Sequence, residues 1–230
     1  MAAGETSSRW HIFVPKLAGA SLNDRLVACA GAGLGVLAAA FAGLGVQDLL
    51  PALPFLIAPI GASAVLVFVV PSSPLAQPWP VFGGNVISAI VGVAALHNIP
   101  NLAAAIAIAV GGAILIMSLL RCLHPPGGAA AITTILGGQA IIDAGYSFPI
   151  SVIAVNSLAL VVFGIFFHKF TGHSYPHRAA ATPALPVGLL RADIDQAVEE
   201  AHETFDIDLV DLEALLLRAE RIAEQRRASK

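Results

Sequence analysis

The chain has 230 residues, of which 57% are hydrophobic and 12% charged, and its mean hydropathy is +0.82. A soluble domain carries about 25% charged residues, whereas between Arg25 and Lys169 the only Asp, Glu, Lys or Arg residues are Asp48, Arg121 and Asp143. This composition excludes a soluble protein and predicts an all-α membrane protein embedded in the lipid bilayer. Eleven of the fifteen acidic residues lie after residue 186, so the net charge of −3 describes the tail and not the membrane body.

Six apolar runs follow residues 1–25, which we predict to be an N-terminal cytoplasmic segment. Residues 26–46 carry no charge and are long enough, at about 20 residues, to cross a ~30 Å hydrocarbon layer. Gly31 and Gly35 within this run, with Gly33, Ala39 and Gly43, predict close helix packing. The later runs cover residues 53–70, 83–97, 102–120, 129–142 and 148–167. Together they predict a transmembrane domain over residues 26–168 with six transmembrane helices.

The runs repeat as two halves, about residues 26–97 and 101–168. Aligning Gly61 with Gly127 gives the pattern Pro-x-Gly-small-small-Ala in both halves, and the next run carries Asn85 in the first half and Asn156 in the second. Three spans per half make the halves inverted relative to each other. Each half thus contains one segment that proline and glycine interrupt, around Gly61 in the first half and Gly127 in the second. We therefore predict two inverted three-helix repeats whose broken segments enter from opposite faces. Interrupted segments at matching places in two halves point to a transporter's binding site.

Positive charge predicts the orientation of the six spans. The segments on the side of the N-terminus hold Arg9, Lys16, Arg25, Arg121, Lys169 and Arg178, and the loops on the other side hold only Asp48 and Asp143. Because cytoplasmic loops carry an excess of Lys and Arg, we expect both termini in the cytoplasm. If the broken segments were re-entrant, leaving four spans, Arg121 would fall outside. The brevity of the chain and the lack of a transit peptide favour a bacterial inner, or plasma, membrane.

The most distinctive stretch is His124-Pro125-Pro126-Gly127-Gly128-Ala129, between two apolar runs. Two prolines and two glycines end the incoming helix, because proline lacks an amide donor and glycine costs about 1 kcal/mol in a helix. We expect a new helix to start at the glycines, with unpaired first amides that carry partial positive charge. Such a helix end attracts anions. The alternative is a break that only turns the chain.

The two breaks supply the predicted binding site. We hypothesise that backbone amides around Gly61 to Ser63 and Gly127 to Ala129 converge near the midplane on a small inorganic anion. His124 is either a proton relay or solute donor, or a structural cap of the fourth helix, and the two asparagines either bond between helices or support the breaks. The residues predicted to bind the solute are Gly61, Ala62, Ser63, Asn85, His124, Pro125, Pro126, Gly127, Gly128, Ala129 and Asn156.

The sequence predicts weak binding and no catalysis. No lysine or arginine is available at mid-membrane, so helix ends and hydroxyls would hold an anion loosely, which favours fast, low-affinity permeation. A metal site is conceivable at three histidines, His168, His173 and His177. A hydrated loop fits their spacing better, and we predict no metal. There is no nucleotide loop, nucleophile elbow or zincin helix, and no basic aromatic surface for nucleic acid. We expect no catalytic residue, no cofactor and no nucleic-acid partner.

After the membrane domain we predict a linker, residues 169–191, and a cytoplasmic helical tail, residues 192–230. The tail contains two short amphipathic helices. One carries an apolar face that ends at Phe205, and the other carries an apolar stripe from Leu212 to Ala223. The transmembrane or tail helices offer surfaces for a homo-oligomer. An alternative function is a non-transporting scaffold or signalling protein that acts through this tail.

The motif at residues 124–128, with Ala-Pro-Ile-Gly-Ala-Ser-Ala at residues 58–64 and Val-Pro-Ser-Ser-Pro-Leu-Ala-Gln-Pro at residues 70–78, resembles the HPP family of integral membrane proteins. The likeness runs from about Ile12 to Pro176. Relatives in chloroplasts and cyanobacteria are implicated in nitrite transport, so the resemblance implies a transporter or channel for nitrite, with another small solute as the alternative. In longer relatives a similar tail leads into a pair of CBS domains, which we expect to be missing here.

Overall fold

The computed structural model describes residues 22–178, 190–201 and 206–228, and all regular structure within these ranges is helical. Most of the predicted N-terminal segment, including Arg9 and Lys16, lies outside the described residues. So do residues 179–189 of the predicted linker, Phe205 and the last two residues.

Seven α-helices form the membrane body and two form the tail within the described ranges. The body helices are α1 (Leu22–Leu49), α2 (Pro59–Val69), α3 (Pro78–Asn98), α4 (Leu102–Leu119), α5 (Pro126–Leu136), α6 (Gln139–Ala144) and α7 (Ala154–Thr171). The tail helices are α8 (Arg191–Ala201) and α9 (Leu209–Ala228). A 3-10 turn, Pro74–Ala76, precedes α3, and a π-helical turn, Pro149–Ile153, runs directly into α7.

Among the described residues, four helical segments are long and apolar enough to cross a membrane: α1, α3, α4 and Pro149–Thr171. In the two remaining predicted crossings, the later of which also holds most of the six-residue α6, the longest helices are α2 and α5, with 11 residues each. At ~1.5 Å per residue such a helix is about 16 Å long, roughly half of a ~30 Å hydrocarbon layer. The prediction of six full helices is therefore replaced by four spanning helices and two short ones, because Pro59 and Pro126 set the starts of α2 and α5.

Contacts between helix ends define two faces of the body. At face A, Trp79 near the start of α3 donates from Nε1 to the Leu120 carbonyl just beyond α4, at 3.1 Å. The start of α1 and the end of α7 share the same face, where Asp24 and Thr171 line one cleft. At the opposite face B, His97 near the end of α3 stacks on Tyr146, with the ring centroids 6.0 Å apart. Neighbouring spans therefore alternate in direction.

The helices α1 and α4 bury stripes of small residues with a four-residue spacing. The stripe of α1 is Gly31, Gly35, Ala39 and Gly43, and that of α4 is Ala105, Ala109, Ala113 and Met117. Residues four apart share one helix face, and small residues there allow close approach. A Cβ on Gly31 would lie 2.6 Å from the Phe167 ring and 2.7 Å from the Phe68 ring. The close packing predicted at Gly31, Gly35, Ala39 and Gly43 is thus confirmed. The prediction is wrong for Gly33, which is exposed and where a Cβ would meet nothing within 4 Å.

The tail contacts the loops at face A. Ser73 Oγ donates to Asp206 Oδ1 at 2.7 Å, and His177 Nε2 lies 2.6 Å from Asp211 Oδ2. Tyr175 donates its hydroxyl to the Ala76 carbonyl at 2.9 Å, and burial raises the pKa of this phenol well above its usual value, so the phenol stays a neutral donor. These bonds tie the tail to the loop between α2 and α3.

Candidate solute site between the two broken segments

The first broken segment begins as non-helical chain. α1 ends at Leu49, and residues 50–58 hold no helix although Leu53 and Ile57 are buried. α2 then starts at Pro59, a position that suits proline because the amide it lacks would have no helical partner there. The chain therefore enters the body as non-helical turns and bends and continues as a short helix.

Asn156 of α7 holds the non-helical residues 50–58 in place. Its Oδ1 accepts from the Ile57 amide at 3.2 Å, and its Nδ2 donates to the carbonyls of Phe55, at 3.0 Å, and Ala39, at 3.2 Å. The Asn156 side chain is fully buried. One amide side chain thus pairs the Ile57 amide and the Phe55 carbonyl, which neither a helix nor lipid would satisfy.

The second broken segment starts with a tight helix end. The Cys122 amide donates to the Met117 carbonyl at 2.9 Å, the Arg121 amide donates to Ser118 at 3.2 Å, and Arg121 has a φ of 54°. This is the Schellman arrangement, with arginine where glycine is usual. It turns the chain so that His124 lies beside α3 before α5 begins at Pro126.

The glycines of the motif are required by close approach to α3. A Cβ on Gly127 would lie 2.6 Å from Ser88 Oγ and 2.8 Å from the Gly84 carbonyl, and a Cβ on Gly84 would lie 2.5 Å from His124 Cβ. In contrast, the nearest atom to a Cβ on Gly128 would be a Val110 methyl carbon at 3.9 Å. The first glycine of the motif is therefore a packing residue, and the second has room.

The backbone amides at the two breaks are paired within the chain. Gly61 donates to Ala58 at 3.0 Å, Gly127 to His124 at 2.8 Å and Gly128 to Pro125 at 3.1 Å. These i→i−3 bonds close the first turn of each helix, so the hypothesis of free donors at these glycines needs correction. Of the other predicted residues around the breaks, Ala62, Pro125 and Ala129 are exposed and Pro126 is buried.

Side chains, rather than amides, join the two broken segments. Ser63 Oγ of α2 lies 2.8 Å from His124 Nε2, just before α5. Asn85 of α3 donates from Nδ2 to Ser63 Oγ at 3.1 Å and to Ser157 Oγ of α7 at 3.2 Å. All four side chains are fully buried. We call Ser63, Asn85, His124 and Ser157 the polar cluster.

Ser157 was missed by the sequence reasoning, which paired Asn85 with Asn156 by residue type. Adjacent helical residues point about 100° apart, because a helix has ~3.6 residues per turn. Asn156 therefore faces the first broken segment while Ser157 faces Asn85. A polar residue next to a predicted site residue in an apolar span was the available signal.

The hydrogen bonds of His124 define its tautomer. Nδ1 lies 2.9 Å from the Leu75 carbonyl, which can only accept, so Nδ1 carries a hydrogen. In a neutral ring Nε2 then accepts, and the Ser63 hydroxyl is its donor. Complete burial favours this neutral form, because a charged group away from water is costly.

One acceptor of the polar cluster has no partner. Asn85 Oδ1 is buried and makes no hydrogen bond to any described group. Leaving a buried acceptor unpaired costs about 1–3 kcal/mol. The polar cluster is therefore complete only when a further donor approaches Asn85.

The charged side chains of the body lie away from the polar cluster. Arg25, Asp48, Arg121, Asp143 and Lys169 are all exposed. The Coulomb energy of two unit charges ~4 Å apart is about 4 kcal/mol at an effective dielectric of ~20, and none of these residues offers such a contact to a solute in the cluster. Whatever binds there meets hydroxyl, amide and imidazole groups.

A cleft of about 530 Å³ opens at face A, but no predicted binding residue lines it. Its walls include Arg25, Phe68, His168, His173 and His177. His168 Nε2 lies 2.9 Å from the Val67 carbonyl, and His177 pairs with Asp211. His173 Nδ1 lies 3.5 Å from Thr171 Oγ1, so all three histidines considered for a metal have protein partners.

Residues 18–176 match the family model described as HPP, transmembrane region. Two similar proteins are transmembrane proteins of Dictyostelium discoideum. One is 44% identical over 86 residues, which are 36% of this chain and 30% of that protein. The other is 34% identical over 120 residues, which are 50% of this chain and 38% of that protein. The chain thus spans well under half the length of either relative.

No solved structure matches the chain. The family match, in contrast, covers more than half of its length and includes both broken segments and the four residues of the polar cluster. The composition and the four apolar helices agree with this assignment. The chain is therefore a member of the HPP family of integral membrane proteins.

Proposed function

We propose that this HPP protein transports a small inorganic anion, nitrite on the family resemblance, past the polar cluster. The observation that carries the proposal is that Ser63 and His124, one from each broken segment, lie 2.8 Å apart in a buried, polar setting. Many transporters bind their solute where interrupted helices of two halves meet. The proposal assigns no catalytic residue and no cofactor.

The first broken segment supports a complete crossing. The Phe55 carbonyl lies against Gly43, toward the face B end of α1, and the Phe68 ring lies against Gly31 and Gly35, toward face A. Residues 50–58 and α2 therefore run antiparallel to α1 through both halves of the membrane, the first half non-helical and the second helical.

The second broken segment supports a crossing in the opposite direction. Gly127, at the start of α5, lies against Gly84, and Thr134 lies against Gly92 further along α3 toward face B. With α4 before it and α7 after it, the second half repeats the first half upside down. We therefore keep two inverted repeats as part of the proposal, each with one broken crossing.

Charge supports the proposed orientation. Face A carries Arg25, Arg121, Lys169 and Arg178 beside Asp24, whereas the charges at face B are Asp48 and Asp143. Lys and Arg mark the cytoplasmic side, so we place face A and the tail in the cytoplasm. A plasma membrane, or a bacterial inner membrane, is the proposed location.

Nitrite uptake into proteoliposomes tests the proposal. We expect the reconstituted chain to take up nitrite well above protein-free liposomes, and Ser63→Ala to slow uptake about tenfold, which corresponds to about 1.4 kcal/mol for one lost polar contact. Thr133→Ala is the matched control, because the Thr133 hydroxyl is exposed and bonds only its own helix at Ala129. Both variants must elute as the folded protein.

The same assay separates the alternatives. Competition by nitrate, formate and chloride reports which solute the site prefers. Equal nitrite uptake by Ser63→Ala and Thr133→Ala would move the site elsewhere, and no uptake of any of these solutes would refute transport. The second candidate, a scaffold acting through the tail, draws on the exposed Leu215 and Ile222 of α9 and predicts that last result.

A further inference from the structure

We propose that each monovalent anion crosses together with one proton, which His124 accepts on Nε2 on one side of the membrane and releases on the other. This inference rests on the proposed transport function and specifies its coupling. The net charge moved is zero: one proton and one anion enter the polar cluster, and both leave it. No other reactant is required.

The hydrogen bonds around Ser63 suit both charge states of His124. When the ring is neutral, the Ser63 hydroxyl donates to Nε2 across 2.8 Å. When Nε2 gains a proton, it donates to Ser63 Oγ, and the Ser63 hydrogen turns to the Pro59 carbonyl, which lies 3.2 Å away. The bond from Asn85 Nδ2 to Ser63 Oγ is kept in both states. Protonation thus needs only a rotation of one hydroxyl.

An anion in the polar cluster lacks any fixed positive partner. The charged residues of the body are exposed, so a bare anion there would be buried without a counter-charge. A protonated His124 beside Ser63 supplies one positive charge at the point where the two broken segments meet. One imidazolium balances one monovalent anion.

The unpaired Asn85 oxygen points to the same conclusion. A buried acceptor opposes a bare anion, since the amide oxygen is the negative end of a dipole, but it pairs with a solute that brings a hydrogen. The cluster therefore suits an anion accompanied by a proton, whether the proton sits on Nε2 or on the solute oxygen during passage. In either case the anion and the proton that enter the cluster together carry no net charge.

Few titratable groups lie on the elements around His124. The elements packed around it, α2, the 3-10 turn and α5, contain no ionisable side chain, and neither does α4. On α3 the titratable residue is His97, in its last turn at face B, and on α7 they are His168 and Lys169, in its last turn at face A. On its own segment His124 has the Cys122 thiol and the exposed Arg121. Proton uptake within the cluster thus falls to His124.

The test uses the full chain in proteoliposomes, with nitrite as the probe and the membrane potential clamped. The quantity measured is the initial uptake that exceeds uptake by protein-free liposomes. We expect an exterior one pH unit below the interior to speed this uptake by roughly fivefold to tenfold relative to equal pH. The reason is that, at a pH above its pKa, the protonated fraction of an imidazole rises in proportion to the proton concentration. An imposed potential at equal pH should change uptake less than about twofold, since the anion and the proton together carry no net charge.

His124→Gln should lose most of this acceleration, because glutamine keeps polar contacts but does not titrate. His97→Gln is the matched control and should keep the acceleration, since His97 lies at face B and bonds only the Val93 carbonyl of its own helix. Uptake that follows the potential and ignores the pH gradient would overturn the inference. So would a His124→Gln variant that keeps the full acceleration.

Exchange of labelled for unlabelled nitrite at equal pH and zero potential separates the two levels of the account. Such exchange needs no net proton movement and reports the proposed function alone. Exchange without pH-driven uptake would refute proton coupling and leave transport standing. Absence of exchange would refute both.

Discussion

Gly43→Ala is expected to prevent folding of the membrane body, whereas Gly45→Ala should be tolerated. A Cβ on Gly43 would overlap the Phe55 carbonyl and lie 2.8 Å from Asn156 Nδ2, while a Cβ on Gly45 would meet nothing within 4 Å. Overpacking typically costs about 1–3 kcal/mol and more where, as here, the obstacle is backbone. We therefore expect a loss of about 3 kcal/mol or more.

Size-exclusion profiles and melting in detergent check this pair. Gly43→Ala should give little monodisperse protein or a strongly lowered melting temperature, and Gly45→Ala should match the unmodified chain. Because both glycines lie in α1, an effect of alanine on helix propensity would act on both alike. Equal stability of the two variants would mean that the non-helical chain at residues 50–58 does not pack against Gly43 of α1 as described.

Asn156→Leu is the second change with a large expected effect. It removes one acceptor and two donor bonds, so the Ile57 amide and the Phe55 carbonyl are left without a partner, while the Ala39 carbonyl keeps its bond within α1. Each buried unpaired group costs about 1–3 kcal/mol, which gives an expected loss of roughly 2–6 kcal/mol for the two groups. The measurement is unfolding in detergent, followed by melting temperature.

Asn98→Leu is the control for Asn156→Leu, since the exposed Asn98 side chain only bonds back to the Ala94 carbonyl of its own helix. We expect its effect to stay within about 0.5 kcal/mol, as for most surface substitutions. If both asparagine variants melted alike, Asn156 would not hold the first broken segment.

Much of the membrane body could be predicted from hydropathy and breakers. The absence of charge identified the runs that form most of each of the four spanning helices of the described residues, since lipid exposure requires apolar side chains on helices such as α1 and α4. The four-residue spacing of Gly31 and Gly35 identified the buried face of α1. The length of helix within each broken run was not predictable. Non-helical chain and helix can have the same apolar sequence when a side chain such as Asn156 forms the hydrogen bonds that the non-helical backbone needs.

The sequence predicted which segments form the candidate site, but it predicted fewer of the hydrogen bonds within the site. Ser63, His124 and Asn85 were singled out because polar groups and breaks are rare in the apolar runs, and the structure brings these three together. The pairing of the glycine amides with carbonyls three residues earlier depends on local backbone geometry that residue types do not fix. The rotation that turns Ser157 rather than Asn156 toward Asn85 is set by how α7 packs, which a single sequence does not reveal.

The claim that the solute passes Ser63 is tested most directly by chemical protection of a cysteine placed there. In a Cys29→Ser, Cys122→Ala background, a small methanethiosulfonate reagent should modify Ser63→Cys and block nitrite exchange, and saturating nitrite should slow the modification several-fold. Ser118→Cys, exposed on α4, should react at a rate that nitrite does not change. Modification of Ser63→Cys that is equally fast with and without nitrite, or that leaves exchange intact, would contradict a solute path through the polar cluster.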